Sequence, residues 1–187
     1  AYLEMAYHTP QATHPDFYPM VVLDSILAGA SSLNFFGSGG TSNKSSRLYK
    51  ALVETGLAAG VSGGWFPTVD PHLYTLFATV RDGQTPAAVE EALDVEIERV
   101  RGEAVTTAEL FKAIKQARAM FAYSAETVTN QGFWLGFTEV FGTYRWFEDY
   151  LDRLAAVTVD DVQRVAQTYL TRANRTIGHF LPEGSGR

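Results

Sequence analysis

The chain opens on a strand-like run of mixed apolar and polar residues, Tyr2 to Tyr7. Two further runs rich in small or β-forming residues, Leu57 to Phe66 and His72 to Arg81, are joined by a short connection with two prolines. That spacing predicts an antiparallel pair of strands. A fourth run, Thr176 to Leu181, predicts a closing strand near the end of the chain.

Between these strands, apolar residues recur at helical spacing. The clearest stripe has intervals of four, four and three, and it is formed by Val89, Leu93, Ile97 and Val100. Thr85 is the predicted N-cap of this helix, and Pro86 occupies its first position. Thr106 to Glu109 fits a capping box that begins the next helix.

Other helix ends are predicted from single residues. Asp16 is the expected N-cap of a broadly apolar early helix, and Gly56 is the expected stop of the helix that contains Leu48. Two further helical segments are expected in the aromatic-rich part of the chain, Asn130 to Gly142 and Trp146 to Leu154. Another helix is expected to begin at Thr158. The aromatic residues in this part are interpreted as core, with a surface that meets a partner as the alternative.

The order of these elements predicts an α+β fold, a mostly antiparallel mixed sheet with helices packed on it. We expect one domain over residues 1–182 and a flexible tail over residues 183–187, where glycine and serine dominate. Because the chain opens directly on a strand, we also expect it to be a segment of a larger protein.

Composition narrows the range of partners. The 187-residue chain is 46% apolar and 19% charged, and its net charge of −6 disfavours nucleic acid and anionic membrane surfaces. It contains no cysteine, which excludes disulfides, thiolate metal sites and cysteine nucleophiles. No uncharged apolar run approaches the roughly 18 residues of a membrane span. The compartment stays open, periplasmic or cytoplasmic if the protein is bacterial.

Two motifs resemble one enzyme family. The segment Ser46 to Val61, with the sequence SRLYKALVETGLAAGV, resembles the signature in the C-terminal halves of pitrilysin/insulinase-like zinc metallopeptidases. This family includes the mitochondrial processing peptidase subunits and similar bacterial proteins. The run T-x-x-D-V-x-x-V-A from Thr158 to Ala166, followed by a strand, also matches. The resemblance extends from Tyr2 to Pro182 and implies the metallopeptidase-half fold.

The zinc motif of that family, His-x-x-Glu-His, does not occur in this sequence. The four histidines are far apart along the chain: His8, His14, His72 and His179. The resemblance therefore implies a non-catalytic C-terminal domain, with no catalytic residue and no metal or other cofactor on this chain. Zinc is expected on a homologous catalytic half, in the same polypeptide or in a separate subunit. The two halves would enclose a peptide substrate as a clamshell.

A glycine-rich segment precedes the first motif. It does not fit a phosphate-binding loop, because Asn43 stands where glycine should precede the Lys-Ser pair. A plain connector is one interpretation. The resemblance suggests another, a loop that guides substrate as in processing-peptidase subunits without catalytic residues. The candidate substrate-binding residues are Gly37, Gly39, Gly40, Lys44 and Arg47. The two cations could equally be ordinary exposed side chains at a helix start.

Many C-terminal halves of the family carry an Arg and a Tyr that reach substrate near the zinc. The corresponding positions here are Val53 and Ala59, and neither side chain donates a hydrogen bond. One explanation is that a second subunit supplies the pair. Another is a proteolytically inactive member that serves as an assembly subunit. A third, unrelated alternative is an α+β binding module whose resemblance is accidental.

Overall fold

The computed structural model describes residues 1–30 and 44–182. Its sheet has four strands in the order β2-β3-β1-β4, and every pairing is antiparallel. The strands are β1 (Tyr2–Thr9), β2 (Ala58–Gly64), β3 (His72–Val80) and β4 (Arg175–Phe180). The α+β prediction is confirmed, and the predicted pairing of β2 with β3 is present. Among the described strands none is parallel, so the sheet is simpler than the mixed one expected.

The helices lie between the strands in the predicted order. They are α1 (Phe17–Leu27), α2 (Pro86–Gly102), α3 (Thr107–Ser124), α4 (Val128–Phe141), α5 (Arg145–Glu148), α6 (Tyr150–Ala155) and α7 (Val159–Tyr169). The single helix predicted over 146–154 is two short helices, which meet at Asp149. A 3-10 turn, Arg172–Asn174, leads into β4. None of the described helices combines the length and apolar character that a membrane crossing requires.

Helix α1 is the centre of the core. It contacts β2, α3, α6 and α7, and ten of its eleven residues are buried. Beneath it, β1 and β3 direct alternate side chains towards the helices, as strand geometry requires. The buried apolar residues of these two strands are Leu3, Met5, Tyr7, Tyr74, Leu76, Ala78 and Val80. The helices thus cover one face of the sheet.

The predicted stripe and caps of the long helices are confirmed. All four stripe residues of α2 are buried, and the Thr85 side chain accepts a hydrogen bond from the amide of Ala88. In α3 the capping box is complete, because Thr106 and Glu109 each accept from the other's backbone amide. A second complete box, Thr158 with Asp161, begins α7. These local bonds satisfy amides that the first helical turn leaves free.

The helix predicted around Leu48 is a π-helix, Tyr49–Glu54. It ends at Gly56 as expected, where φ is +81° and a side chain would be strained. The amide of Leu57 donates to the carbonyl of Leu52 at 2.9 Å, and the amide of Gly56 donates to Val53 at 3.1 Å. This pair of bonds is a Schellman motif, which turns the chain directly into β2.

Asp16 precedes α1 but does not cap it through its side chain. Its backbone is already helical, so its carboxylate is not presented to the first-turn amides as in an extended cap residue. The carboxylate instead accepts from Arg164 Nη1 at 2.6 Å and from the Tyr169 hydroxyl at 2.8 Å. The residue predicted to cap α1 therefore links the start of α1 to α7 through its carboxylate. Burial, followed by the hydrogen bond to Asp16, raises the pKa of Tyr169 to about 12.

The aromatic stretch of α4 to α6 is mostly core. Trp134, Trp146 and Tyr150 are buried, whereas Tyr144 is 44% exposed. The remaining phenylalanines of this stretch are partly buried and pack against the core: Phe133, Phe137, Phe141 and Phe147. The core interpretation therefore holds for most of these rings.

Candidate functional site

The candidate site is the face of the sheet opposite the helices, called here the open face. On β1 the residues that point away from the helices are Tyr2, Glu4, Ala6 and His8, each at least partly exposed. The register pairs Glu4 with Phe77 of β3 and with Gly178 of β4. Because the four strands are hydrogen-bonded neighbours, this face is continuous across the sheet.

The side chains of this open face are mostly small or aromatic. Next to Glu4 along β1, Ala6 lies opposite Thr75 on one side and Thr176 on the other. On β2 the positions that face the same way are Gly60, Ser62 and Gly64, opposite Thr79, Phe77 and Thr75. A floor of small side chains leaves room for another polypeptide to lie against it.

The five candidate substrate-binding residues differ in whether the structure describes them and in how exposed they are. Gly37, Gly39 and Gly40 lie outside the described residues. Lys44 is exposed. Arg47 is not an exposed helix-start residue, since only 13% of its side chain is accessible.

Arg47 is held by Glu109 at the start of α3. Its Nε donates to Glu109 Oε1 at 3.0 Å and its Nη2 to Oε2 at 3.1 Å, the two-point geometry that favours arginine with a carboxylate. The hydrogen bond from Arg47 is the main cause that lowers the pKa of Glu109 to about 2. Glu109 also accepts a hydrogen bond from the Thr106 amide. One carboxylate therefore caps α3 and binds Arg47 of the Ser46–Val61 segment. The sequence marked Glu109 as a cap but contained no signal of its pairing with Arg47.

Val53 and Ala59 lie where the family resemblance places an Arg and a Tyr. Val53 is half-buried in the π-helix. Ala59 is exposed at a register shift between Ala58 and Gly60, where β2 carries one residue more than β3. Neither side chain can polarise a peptide carbonyl.

The four histidines lie on separate parts of the fold. His8 and His72 are exposed at neighbouring strand ends, and His14 accepts a hydrogen bond from the Asp16 amide. His179 lies 2.8 Å from a Glu90 carboxylate oxygen, between β4 and α2. Across residues 1–30 and 44–182, no three His, Cys, Asp or Glu side chains are grouped as metal ligands. The described residues therefore do not fit a zinc site.

Comparisons with known proteins agree with this description. Residues 1–117 match the family model described as the peptidase M16 inactive domain. A search of the curated proteins finds no match. Among solved structures, a "putative zinc protease" from Bordetella pertussis Tohama I is 30% identical with a TM-score of 0.81, over 97% of this chain and 93% of that one.

Two further structures extend the comparison. The inactive peptidase domain of a "putative zinc protease" from Bordetella parapertussis is also 30% identical, with a TM-score of 0.83 over 97% of this chain and 90% of that one. A protease from Helicobacter pylori shares the fold at 20% identity and a TM-score of 0.81. There, 94% of this chain matches only 40% of the longer protein.

The family model covers more than half of the chain, and the Bordetella structures match it almost from end to end. The chain belongs to the family of peptidase M16 inactive domains.

Proposed function

We propose that this domain is the non-catalytic C-terminal half of a zinc endopeptidase, and that its open sheet face forms one wall of a chamber for unfolded peptides. The observation that carries the proposal is the two-layer architecture, in which the described helices cover one face of the sheet and leave the other open. The other face has a floor of small residues around Ala6. An extended peptide fits such a surface without rearrangement of the domain.

Zinc belongs to the other half in this proposal. A catalytic zinc needs three protein ligands and a carboxylate that accepts a proton from the bound water. The described histidines occupy separate elements, so this domain contributes shape and charge rather than ligands. The partner half carries His-x-x-Glu-His, in the same polypeptide or in a second subunit.

Arg47 and Lys44 enter this proposal in different ways. Lys44 is exposed beside the glycine-rich segment and is available to a substrate carbonyl or carboxylate. Arg47 has two of its donors committed to Glu109, so its main contribution is to hold the start of the π-helix against α3. Substrate contact through Gly37, Gly39 and Gly40 remains part of the proposal.

The alternative function is a proteolytically inactive assembly subunit. Val53 and Ala59 favour it, because the side chains that would reach substrate are absent from these positions. The two functions differ in one measurable outcome. A peptidase half supports cleavage when its zinc-binding partner is present, whereas an assembly subunit forms a zinc-free complex that never cleaves peptides.

The test begins with purification of the native protein and its companions, with zinc content and His-x-x-Glu-His read by mass spectrometry. The complex is then assayed on a long, unfolded fluorogenic peptide. Ala6→Arg places a large cation on the open face, and we expect it to lower kcat/KM severalfold. The matched control is Ala122→Arg, at an exposed position of α3, which should leave cleavage unchanged. A zinc-free complex without cleavage, or equal activity of both variants, would overturn the proposal.

A further inference from the structure

Glu4 lies at the centre of an aromatic cluster on the open face. Directly opposite it are Phe77 on β3 and Gly178 on β4. Tyr2 is two residues away on the same face of β1, and Phe180 is the register partner of Tyr2. Side chains directly opposite each other in antiparallel strands have Cβ atoms about 5 Å apart. The register therefore places three rings at positions next to Glu4: Phe77 directly opposite, Tyr2 two residues along β1, and Phe180 on the diagonal across β4.

The three rings are part of the accessible surface of the open face. Tyr2 and Phe77 stack with ring centroids 5.6 Å apart and planes 25° from parallel. Phe180 leans back over Gly178, because a Cβ at Gly178 would lie 3.4 Å from Phe180 Cε2. The Phe180 ring thus lies over the β4 position that is directly opposite Glu4. The rings are 48%, 39% and 55% exposed for Tyr2, Phe77 and Phe180.

Among residues 1–30 and 44–182, no lysine, arginine or histidine is paired with Glu4. In the part of the chain that the structure describes, no hydrogen bond or ion pair joins its carboxylate to another side chain. Glu4 as a residue is only partly exposed. A carboxylate in this position gains most from a cation that is also attracted by the faces of the rings.

We propose that Tyr2, Glu4, Phe77 and Phe180 form a subsite for the side chain of a lysine or arginine in an extended peptide. This inference rests on the proposed function, because it names the part of the chamber wall that selects substrate. The aliphatic stem of the cation packs against the stacked rings, and its charge meets Glu4. The net charge of −6 favours the approach of such peptides.

The test uses two fluorescein-labelled ten-residue peptides that differ at one position. The first has a single central lysine flanked by leucines, and the second has glutamine in its place. Binding to the full chain is measured by fluorescence anisotropy at low and at physiological ionic strength. We expect the lysine peptide to bind about three- to tenfold more tightly, with the difference larger at low salt.

Two variants locate the effect. Glu4→Gln keeps the shape but removes the charge, and Phe180→Leu removes one ring face; each should reduce the preference for lysine to less than about twofold. The matched control is Glu126→Gln, an exposed glutamate at the junction of α3 and α4, which should keep the preference. Circular dichroism establishes that each variant folds.

The outcomes separate this inference from the proposed function. If both peptides bind equally and Ala6→Arg abolishes their binding, the result supports peptide binding on the open face but contradicts the cation subsite. If Glu4→Gln weakens the glutamine peptide as much as the lysine peptide, the subsite is also wrong. If neither peptide binds the wild-type domain, the result contradicts both the subsite and the peptide-binding wall.

Discussion

Replacement of Gly63 by alanine tests how closely β2 packs against α1. A Cβ at this position would lie 2.1 Å from Asp24 Oδ1 and 2.7 Å from the Cβ of Ala28. Ordinary carbon contacts are about 3.5–4.0 Å, so α1 or the buried Asp24 side chain must move by about 1 Å. Asp24 is 5% exposed, which leaves it little space into which to move.

Overpacking of this kind costs about 1–3 kcal/mol, and Gly63→Ala should lie at the upper end, about 3 kcal/mol. In a domain of this size, 1 kcal/mol corresponds to about 2–4 °C in Tm, so we expect a decrease of about 6–12 °C. The assay is equilibrium unfolding in urea. A lower midpoint with an unchanged m-value reports lost stability rather than an altered denatured state.

The same strand supplies two matched controls. A Cβ at Gly60 would have no atom within 4 Å, and one at Gly64 would lie 3.2 Å from Thr75 Oγ1. Neither glycine has a positive φ, so alanine adds no backbone strain at either position. We expect Gly60→Ala to be neutral or up to about 1 kcal/mol stabilising. Gly64→Ala should fall between the other two variants. Equal midpoints for Gly63→Ala and Gly60→Ala would refute this packing of β2 on α1.

Three further predictions concern an ion pair, a helix cap and a helix end. Glu109→Gln should remove the part of the stability that depends on its low pKa. The folded pKa of about 2 lies below the ordinary 4.5, so this stability is present above about pH 4.5 and is lost as the pH falls towards 2. Because the Glu109 side chain is 35% exposed, we discount the effect to about 1–2 kcal/mol, measured as a smaller loss of stability between pH 6 and pH 3 in the variant than in wild type. Some loss persists in the variant, because the Thr158 hydroxyl holds the pKa of Asp161 below its ordinary value. Thr158→Ala should cost about 1 kcal/mol in urea unfolding through loss of the α7 cap, whereas Thr158→Ser should restore it. Gly56→Ala should cost about 1–2 kcal/mol, because φ is +81° there; an unchanged urea midpoint would contradict the strained conformation.

Local signals in the sequence were sufficient for most elements. The capping boxes and the apolar stripe of α2 depend on residues three or four apart, and such patterns keep their meaning in the folded chain. Gly56 is predictable for the same reason, since a helix end needs a left-handed residue whatever packs around it. The π winding of 49–54 was not predictable from the apolar pattern, which indicates a helix but not how its hydrogen bonds are spaced.

The ion pairs between residues distant in sequence were not predicted. Asp16 and Arg164 are 148 residues apart, and Arg47 and Glu109 are 62 apart. An aspartate directly before a helix is a typical N-cap, so the sequence predicts that role for Asp16. Only the packing of α7 against α1 shows that its carboxylate accepts hydrogen bonds from α7 instead. An arginine at the start of a helix is usually exposed, so the sequence gives no sign that most of the Arg47 side chain is buried. In both cases the residue type suits a local role, but the side chain binds a partner that is distant in sequence.

The proposed cation subsite shows why function was harder to predict than fold. Strand alternation alone places Tyr2 and Glu4 on the same face, since they are two residues apart. Their neighbours Phe77 and Phe180 follow only from the order β3-β1-β4 and its register. A shift of one residue in the pairing of β1 would turn Glu4 into the core and Leu3 outward. The buried set of β1 therefore specifies the register, and the register in turn places the three rings next to Glu4. The hydrophobic pattern that stabilises the domain thereby also determines the chemistry of its open face.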